Sequence, residues 1–438
     1  MGPFPETKVI DDSKFGKCLI TVDGCAKYSR DRRKLLWVKN TDIEFTIPDS
    51  VEWIEDSAFE GCSFLQNVVI PDSVEWIGFS AFEGCSSLIS IVIPDSVEII
   101  GCSAFEGCSS LQNVVIPDSV EIIGGSAFIG CVHVNIEVDE NNSFYSSYEG
   151  MLFNKNGKEL IHGIATTRNG TCVIPDSVES IGPWAFEGCS SLHNVVIPDS
   201  VVSIGVSAFN GCSSLQNIVI PDSVKSIGPW AFKGCSSLQN VVIPESVESI
   251  GAGAFEGCSS LISIVIPDSV KSIGFSAFEG CSSLISIVIP DSVVSISRSA
   301  FSGCISLQNI VIPNSVEIIG PYAFKGCSSL HNVVIPDSVK WIEDNAFEGC
   351  SSLQNIVIPD SVVSIGSWAF NRCISLKSVT LSNSVTWIPF YAFFGCSSLQ
   401  NIVIPDSVVS ISGSAFSGCP LSKSIFESIR NRFPDAFR

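Results

Sequence analysis

The sequence predicts an α/β solenoid, in which short parallel strands stack and each coil contains one short helical or 3₁₀ turn. The first observation is a unit of 23 residues, such as residues 174–196, that begins again as soon as it ends. The second is an Ala-Phe pair that recurs at this interval from Ala58-Phe59 to Ala127-Phe128 and from Ala185-Phe186 to Ala415-Phe416, in 15 copies. The third is a composition of 45% hydrophobic against 16% charged residues. Together they predict a single elongated body with a continuous core.

The first half of each predicted coil is a short strand followed by a turn. Leu192, Val195 and Ile197 alternate with polar or outward positions and should point inward, whereas Val196 should face outward. Pro175-Asp176-Ser177 then turns the chain, because proline cannot donate to a ladder and Asp or Ser can bond nearby amides. Stacking such units builds a parallel sheet.

The second half of the unit closes the coil. Val178 and Ile181 are three residues apart and point back into the core as a second short strand or extended edge. Gly182 and Gly188 supply the backbone angles of two further corners. Between these glycines, Ala185-Phe186 fills the interior through the helical or 3₁₀ turn.

Departures from the period divide the chain into five segments. The interval between Ala-Phe pairs lengthens to 58 residues in one place, and the two ends lack the repeat. We expect an N-terminal cap or modified repeat with a hairpin, four repeat units, a long modified repeat with a hairpin insertion, eleven repeat units, and a C-terminal capping helix with a tail. Their predicted bounds are 1–46, 47–131, 132–173, 174–419 and 420–438.

The chain carries a formal charge of -21. Residues 46–419 contain 11 basic and 36 acidic side chains, so nucleic acid is not expected as a partner. The apolar runs are far too short to span a membrane. Residues 1–6 lack the basic start and apolar segment of a secretory signal, so the sequence as written predicts a cytoplasmic location without an anchor.

The repeated Ile-Pro-Asp-Ser-Val-x-x-Ile-Gly-x-x-Ala-Phe-x-Gly-Cys-Ser-Ser-Leu resembles the BspA-like leucine-rich-repeat family. Val138-Asp139-Glu140-Asn141-Asn142 and Gly150-Met151-Leu152-Phe153-Asn154-Lys155 share the resemblance, which covers about nine-tenths of the chain. It implies a curved solenoid of the leucine-rich-repeat type. It also implies a cell-surface or secreted location, because family members are typically surface or secreted proteins of bacteria and protozoan microbes that adhere to host proteins or to other cells.

An acidic residue follows the proline in 13 units, and Asn314 and Asn383 replace it in two others. Strand spacing would place these side chains roughly 5 Å apart, where neighbouring carboxylates repel by about 1 to 3 kcal/mol. In one interpretation each side chain accepts a backbone amide in its turn, as asparagine also can. In the other, the ladder gathers divalent cations or a basic ligand, although it lacks the dense oxygen pattern of a calcium loop.

Fifteen of the 19 cysteines share one repeat position, from Cys62 to Cys419. Metal binding would need clustered ligands, and disulfides between adjacent units would need parallel side chains to turn towards each other. We therefore expect buried, reduced thiols that act as small apolar fillers. Cys102 breaks the pattern and should be exposed, and the sequence leaves the pairing of Cys18 with Cys25 open.

Two outward-facing sets are candidate contacts for a partner. The predicted strand face carries valines and glutamines, among them Val196, Val219, Val242, Gln216 and Gln239. Tryptophans occupy variable positions, as the anchors of binding sites often do, and the candidates are Trp53 and Trp76 in neighbouring units and Trp184 and Trp230 at a second position. Partial burial along the flank of the solenoid is the alternative for the tryptophans.

The sequence lacks the patterns of a catalytic, cofactor or metal site. The four histidines are scattered, no Gly-x-Ser-x-Gly elbow occurs, and residues 251–257 miss the spacing of a dinucleotide loop. We expect a non-enzymatic scaffold that recognises a protein partner, used in adhesion or surface binding. The alternatives are an intracellular interaction scaffold of the same fold and a structural solenoid that binds divalent cations. The sequence specifies neither the partner nor the oligomeric state.

Overall fold

The computed structural model describes residues 4–165, 171–434 and 436–437. It contains two compact units, residues 1–192 and 193–438. The single elongated, curved body expected from the sequence stays a prediction. Residues 1–3 of the predicted cap, 166–170 of the predicted long repeat, and 435 and 438 of the predicted tail lie outside the described residues.

The first unit begins with an antiparallel meander. Its four strands are Thr7–Asp12, Gly16–Thr21, Ala26–Tyr28 and Lys34–Val38. Lys34–Val38 also pairs in parallel with Trp53–Ile54 of the first coil, so the meander joins the stack directly. Tyr28 and Leu35 are fully buried there and cover the apolar interior of that coil.

Each coil of the first unit contributes one strand to each of two parallel sheets, and the strand order follows the chain. One row of strands is Trp53–Ile54, Trp76–Ile77, Ile99–Ile100 and Ile122–Ile123. The other row is Glu44–Thr46, Asn67–Val69, Ser90–Ile91, Asn113–Ile116 and Asn135–Val138. Paired residues differ by about one repeat, so each coil lies in register on the next.

A short antiparallel sheet interrupts the coils. Its strands are Tyr145–Tyr148, Met151–Asn154 and Glu159–His162, and the last of these pairs in parallel with Ser180–Ile181, where the coils resume. Thr171–Val173 is a further strand of this unit. The buried Asn142 holds the start of the insertion against the preceding coil, because its side-chain amide donates to the carbonyls of Pro117 and Val120 at 2.8 and 2.9 Å.

The second unit repeats the two-row pattern and ends in a helix. One row is Ser203–Ile204, Ser226–Ile227, Ser249–Ile250, Ser272–Ile273, Ser295–Ile296, Ile318–Ile319, Trp341–Ile342, Ser364–Ile365, Trp387–Ile388 and Ser410–Ile411. The other is Asn194–Val196, Asn217–Val219, Asn240–Val242, Ser263–Val265, Ser286–Val288, Asn309–Val311, Asn332–Val334, Asn355–Val357, Ser378–Thr380 and Asn401–Val403. The helix spans Lys423–Arg432, and the Arg432 guanidinium donates to the carbonyls of Ile404 and Pro405 in the last coil. In the described part of the chain, no helix has both the length and the apolar character to cross a membrane.

The expected helical or 3₁₀ turn in each coil is not confirmed. Lys423–Arg432 is the one helix among the described residues, and the coils contain consecutive β-turns instead. In a representative coil, the N–H groups of Ala254 and Glu256 bond the carbonyls three residues earlier, while Gly253 and Gly257 have φ of 58° and 72°. A residue with such a positive φ breaks a right-handed helix, so each turn stops after one hydrogen bond.

Backbone amides inside these turns bond between coils. The N–H groups of Gly253, Phe255 and Gly257 donate to carbonyls of the following coil at 2.7 to 2.8 Å. Adjacent coils are therefore joined along their turns as well as along their strands, which satisfies donors that a buried turn would otherwise leave unpaired.

Phenylalanine and cysteine form continuous rows in the core. In the second unit, Phe278 is fully buried between Phe255 and Phe301, with ring centroids 5.5 and 5.6 Å away. The thiol of Cys281 donates to the Phe255 carbonyl at 3.1 Å, and the same bond recurs from coil to coil. All 19 cysteines are free, Cys18 and Cys25 included, and Cys102 is exposed as expected. The thiols thus donate hydrogen bonds in addition to filling space.

Serine, rather than aspartate, ties the Pro-Asp-Ser turn to its neighbour. The N–H of Val270 bonds the Pro267 carbonyl at 3.1 Å to close the turn, and the Ser269 hydroxyl donates to Val247 of the preceding coil at 2.7 Å. Asp268 is exposed. Asp360 does accept a backbone amide, but from Asn383 in the next coil. The carboxylates therefore project into solvent, where water screens their mutual repulsion.

Candidate functional site

An uninterrupted row of exposed valines crosses the strand face of the second unit. The predicted contacts Val219 and Val242 pair in register and belong to this valine row, which continues through the in-register ladder as Val265, Val288, Val311 and Val334. These six side chains are 65 to 77% exposed, and Val196 occupies the same strand position with 50%. Their inward neighbours, such as Ile310, are buried, so period-2 alternation alone places the valines outside.

Amide side chains flank the valine row. Gln216 and Gln239 are exposed, and the backbone N–H of Gln239 donates to the Gln216 carbonyl at 3.2 Å. Asn217 and Asn240 lie beside them, paired across adjacent strands and also exposed. This border offers donors and acceptors next to an apolar centre, which is the usual composition of a protein-recognition surface.

A shallow groove of about 740 Å³ runs beside the valine row. Its floor includes Val288, Val311 and Val334. Its wall is formed by the turns of the same coils, with the side chains of Pro290, Asp291, Pro313, Asn314, Pro336 and Asp337. The groove therefore combines an apolar floor with a negatively charged rim.

Trp53 and Trp76 lie side by side in the first unit, as the sequence predicts from their neighbouring coils. They are register partners on adjacent parallel strands and line a cleft of about 330 Å³. Arg33 and Lys34 cover the Trp53 ring, with cation-to-centroid distances of 5.0 and 5.6 Å. Arg33 forms an ion pair with Glu52, and Lys34 forms one with Glu55. The exposed part of this Trp patch is therefore mainly Trp76, at 37% exposure.

Trp184 and Trp230 lie on turns and not on the strand face. Trp230 packs over the next coil, because a Cβ placed on Gly253 would lie 2.5 Å from the Trp230 ring. Trp184 is half-buried and lines a cavity with Gly125 and His162. Both have φ near 60°, as do the serines at the same position in other coils. Trp184 is thus partly buried, whereas Trp230 keeps 37% of its surface exposed, and a role of either residue as a partner contact stays a prediction.

His162 was not singled out by the sequence and is one of the buried polar side chains of the structure. Its side chain is 6% exposed, and its Nε2 has no hydrogen-bond partner within residues 4–165, 171–434 and 436–437. Burial lowers the pKa of His162 to about 4, although a hydrogen bond with the Cys131 backbone opposes this shift. The inward alternation of Leu160 and His162 on their strand is the one sequence signal that could have placed it inside.

The described residues offer little for metal or thiol chemistry. Among them, no group of three or more His, Cys, Asp or Glu side chains is arranged to hold a metal ion. Burial raises the pKa of the thiols in the cysteine row, to about 12 for Cys235 and Cys304. A thiol protonated at neutral pH is a weak nucleophile and a weak ligand, so this row acts in packing.

The repeats also match a known family. A family model described as a BspA type leucine-rich repeat region of six copies matches residues 39–154, 166–283, 249–336 and 318–437. The chain belongs to the BspA-type leucine-rich repeat family. This confirms the resemblance found in the repeat motif, and it identifies the coils as leucine-rich repeats.

Solved structures share the leucine-rich-repeat fold. A leucine-rich repeat protein from Bacteroides ovatus ATCC 8483 is 28% identical, with a TM-score of 0.53 over 100% of this chain and 98% of that one. A leucine-rich repeat protein from Eubacterium ventriosum ATCC 27560 is 23% identical, with a TM-score of 0.57 over 78% of this chain and 95% of that one, which bears on the fold alone. Among curated proteins, none matches this chain.

Proposed function

We propose that this BspA-type repeat protein is a non-enzymatic scaffold that binds a protein partner in adhesion, through the valine row of its second unit. The observation that carries the proposal is the exposure of six consecutive in-register valines, at 65 to 77% each. At roughly 100 Å² of apolar surface per valine they form a patch of about 600 Å², the upper end for the largest apolar patch on a monomer.

The chemistry of the patch specifies the kind of partner. The strands under the valines are paired on both sides from Asn217–Val219 to Asn309–Val311, and Asn332–Val334 is the last strand of that sheet, so over most of the row a partner meets side chains and not free backbone. The groove rim carries Asp291 and Asp337. A partner segment with apolar side chains for the floor and lysine or arginine for the rim fits both features.

The valine row can be tested with a matched pair of substitutions. Val311→Lys places a charge in the middle of the row, and Val294→Lys places the same charge on a valine of similar exposure, 60% against 70%, that precedes the other strand of its coil. A photocrosslinker at Val288 captures the partner, and affinity for the identified partner is then measured. We expect Val311→Lys to weaken binding at least 30-fold and Val294→Lys less than threefold. Equal effects of the two substitutions would contradict the assignment.

Adhesion requires the protein to be accessible outside the cell. Labelling of intact cells with an impermeant reagent should therefore modify the exposed lysines, such as Lys271. The second candidate, an intracellular scaffold using the same surface, is favoured by the 19 free thiols, because disulfides rarely form in a reducing compartment. Protection of the protein in intact cells, with full labelling after lysis, would replace the first candidate by the second.

A further inference from the structure

The first unit exposes large apolar side chains along one row of strands. Trp53, Trp76, Ile99 and Ile122 are register partners on adjacent parallel strands and form what we call the Trp-Ile row. Trp76 and Ile122 are 37 and 51% exposed. In the corresponding row of the second unit, most strands begin with serine instead. The Trp-Ile row and the valine row belong to different units, so binding at one is independent of the function proposed for the other.

Carboxylates lie beside the Trp-Ile row. A glutamate precedes each of its members in the sequence, and these are Glu52, Glu75, Glu98 and Glu121. The backbone N–H of each of the last three donates to the carbonyl of the glutamate before it at 2.9 Å, so the glutamates lie on successive coils. The last three are exposed, and within residues 4–165, 171–434 and 436–437 none of them forms an ion pair. An apolar row beside unpaired carboxylates complements a cationic partner.

Glutamates at the same repeat position in other coils do have a cation. Glu248 pairs with Lys271 at 3.4 Å, and Glu317 pairs with Lys340 at 2.9 Å, each time with the following coil. Lys340 also lies over the Trp341 ring, 5.8 Å from its centroid. The three consecutive glutamates of the first unit therefore differ from these, because the described part of the chain supplies no cation to them.

The N-terminal meander shows how a cation fits on this face. Arg33 forms an ion pair with Glu52 and lies over the Trp53 ring at 5.0 Å. The pKa of Arg33 is raised, first by its hydrogen bond to Glu52 and also by the charge of Glu75. Glu75 and Trp76 repeat the same pair one coil later, and no cation of the described chain lies over Trp76. An arginine placed about 4.8 Å further along the stack would meet the same two groups.

The cleft of about 330 Å³ beside Trp76 can receive such a side chain. Its lining includes Phe79, which is 49% exposed, and Asp56, whose Oδ1 accepts the Phe79 N–H at 2.8 Å. Lys34 also lines the cleft, but it is paired with Glu55 at 2.6 Å. The lining is therefore aromatic with a net negative charge. A guanidinium fits it better than an ammonium, because its plane stacks on an aromatic ring while its edge bonds a carboxylate.

We propose that the Trp-Ile row binds a partner segment through arginine side chains, one of which stacks on Trp76 and pairs with Glu75. Glu98 and Glu121 pair with further arginines of the same segment. The probe is the peptide acetyl-Arg-Gly-Arg-Gly-Arg-amide, and acetyl-Lys-Gly-Lys-Gly-Lys-amide is the control of equal charge. Affinities for the full-length protein are measured by isothermal titration calorimetry at about 0.15 M salt, which screens long-range attraction to the negative chain.

The arginine peptide should bind with a Kd at least threefold below that of the lysine peptide, since only the guanidinium stacks and bonds at once. Trp76→Leu should remove this preference. Trp341→Leu, at a tryptophan with the same 37% exposure that Lys340 already covers, should keep it. Equal affinity of the unsubstituted protein for the two peptides would overturn the proposal.

The carboxylate is tested within the same coil. Glu75→Gln keeps the shape of the side chain and should weaken binding of the arginine peptide about fivefold. Asp72→Asn removes another exposed carboxylate, in the turn before the strand, and should change the affinity less than twofold. An equal loss in both variants would mean that net charge alone attracts the peptide, which would also overturn the proposal.

Discussion

Truncating Phe278 tests how much of the stability resides in the aromatic stack. Its ring is fully buried between two neighbouring rings, and a phenylalanine buries roughly 150 to 250 Å². At about 25 cal/mol per Å², Phe278→Ala should remove about 4 kcal/mol from the free energy of unfolding, within the usual range for buried phenylalanine. The neighbouring coils are tied to each other by backbone bonds on both sides, so they should not collapse into the cavity.

The same coil provides a matched control. Phe275 lies three residues earlier and is 53% exposed, so Phe275→Ala removes the same atoms from a surface position. Its expected effect is within about 0.5 kcal/mol of zero. Urea unfolding, followed by circular dichroism, measures the free energy of unfolding of both variants. Equal m-values would show that both variants expose the same surface area on unfolding. A difference below about 1 kcal/mol between the two would refute the inward assignment of the Phe278 row.

Three further predictions concern thiols and turns. Cys102 should react with a thiol reagent in the native protein much faster than the cysteine row, and Cys102→Ser should remove this fast phase, while unfolding should expose all 19 thiols. The Cys304 thiol, with its pKa raised from 9.0 to about 12, is protonated in the folded state and ionised in the unfolded state between those values. Its contribution to stability is therefore complete below pH 9 and is lost as the pH rises towards 12. Between these pH values, Cys304→Ala should reduce the slope of unfolding free energy against pH by up to about 1.4 kcal/mol per pH unit. An unchanged slope would contradict the raised pKa of Cys304. Finally, Ser269→Ala should lower the free energy of unfolding in urea by about 1 kcal/mol, because it removes the hydrogen bond to the Val247 carbonyl. Asp268→Ala, at the adjacent exposed residue, should lower it by less than half of that. The reverse order would support the interpretation in which aspartate holds the turn.

The inward and outward positions could be predicted because they follow from the period alone. Phe278 and Cys281 recur every 23 residues at positions that a stacked coil must bury, and Val311 lies between the buried Ile310 and Ile312. Because each repeat is covered by the next, the same positions are buried in every regular coil. Membership in the BspA-type family could be predicted for the same reason, because the repeated motif that carries the resemblance consists of the residues at these positions.

Backbone conformation and local bonding could not be predicted in the same way. Ser276 has φ of 55°, and nothing in a serine marks a left-handed residue, so the sequence favoured a helical turn. Aspartate and serine both bond turns, and only the position of the neighbouring coil decides that Ser269 makes the bond. The strand register of the irregular insertion places His162 in the core, and the 23-residue motif does not describe this insertion.

The central claim is that each 23-residue unit lies in register on the next. Spin labels attached through p-azidophenylalanine at Val219 and at Val311 or Val334 measure this directly by EPR, without using the native thiols. Parallel strands stack about 4.8 Å apart, so four and five coils predict label separations of roughly 19 and 24 Å, an increase of about 5 Å for one added coil. A separation that did not grow by this step, or that spread over tens of ångströms, would contradict the stacked arrangement.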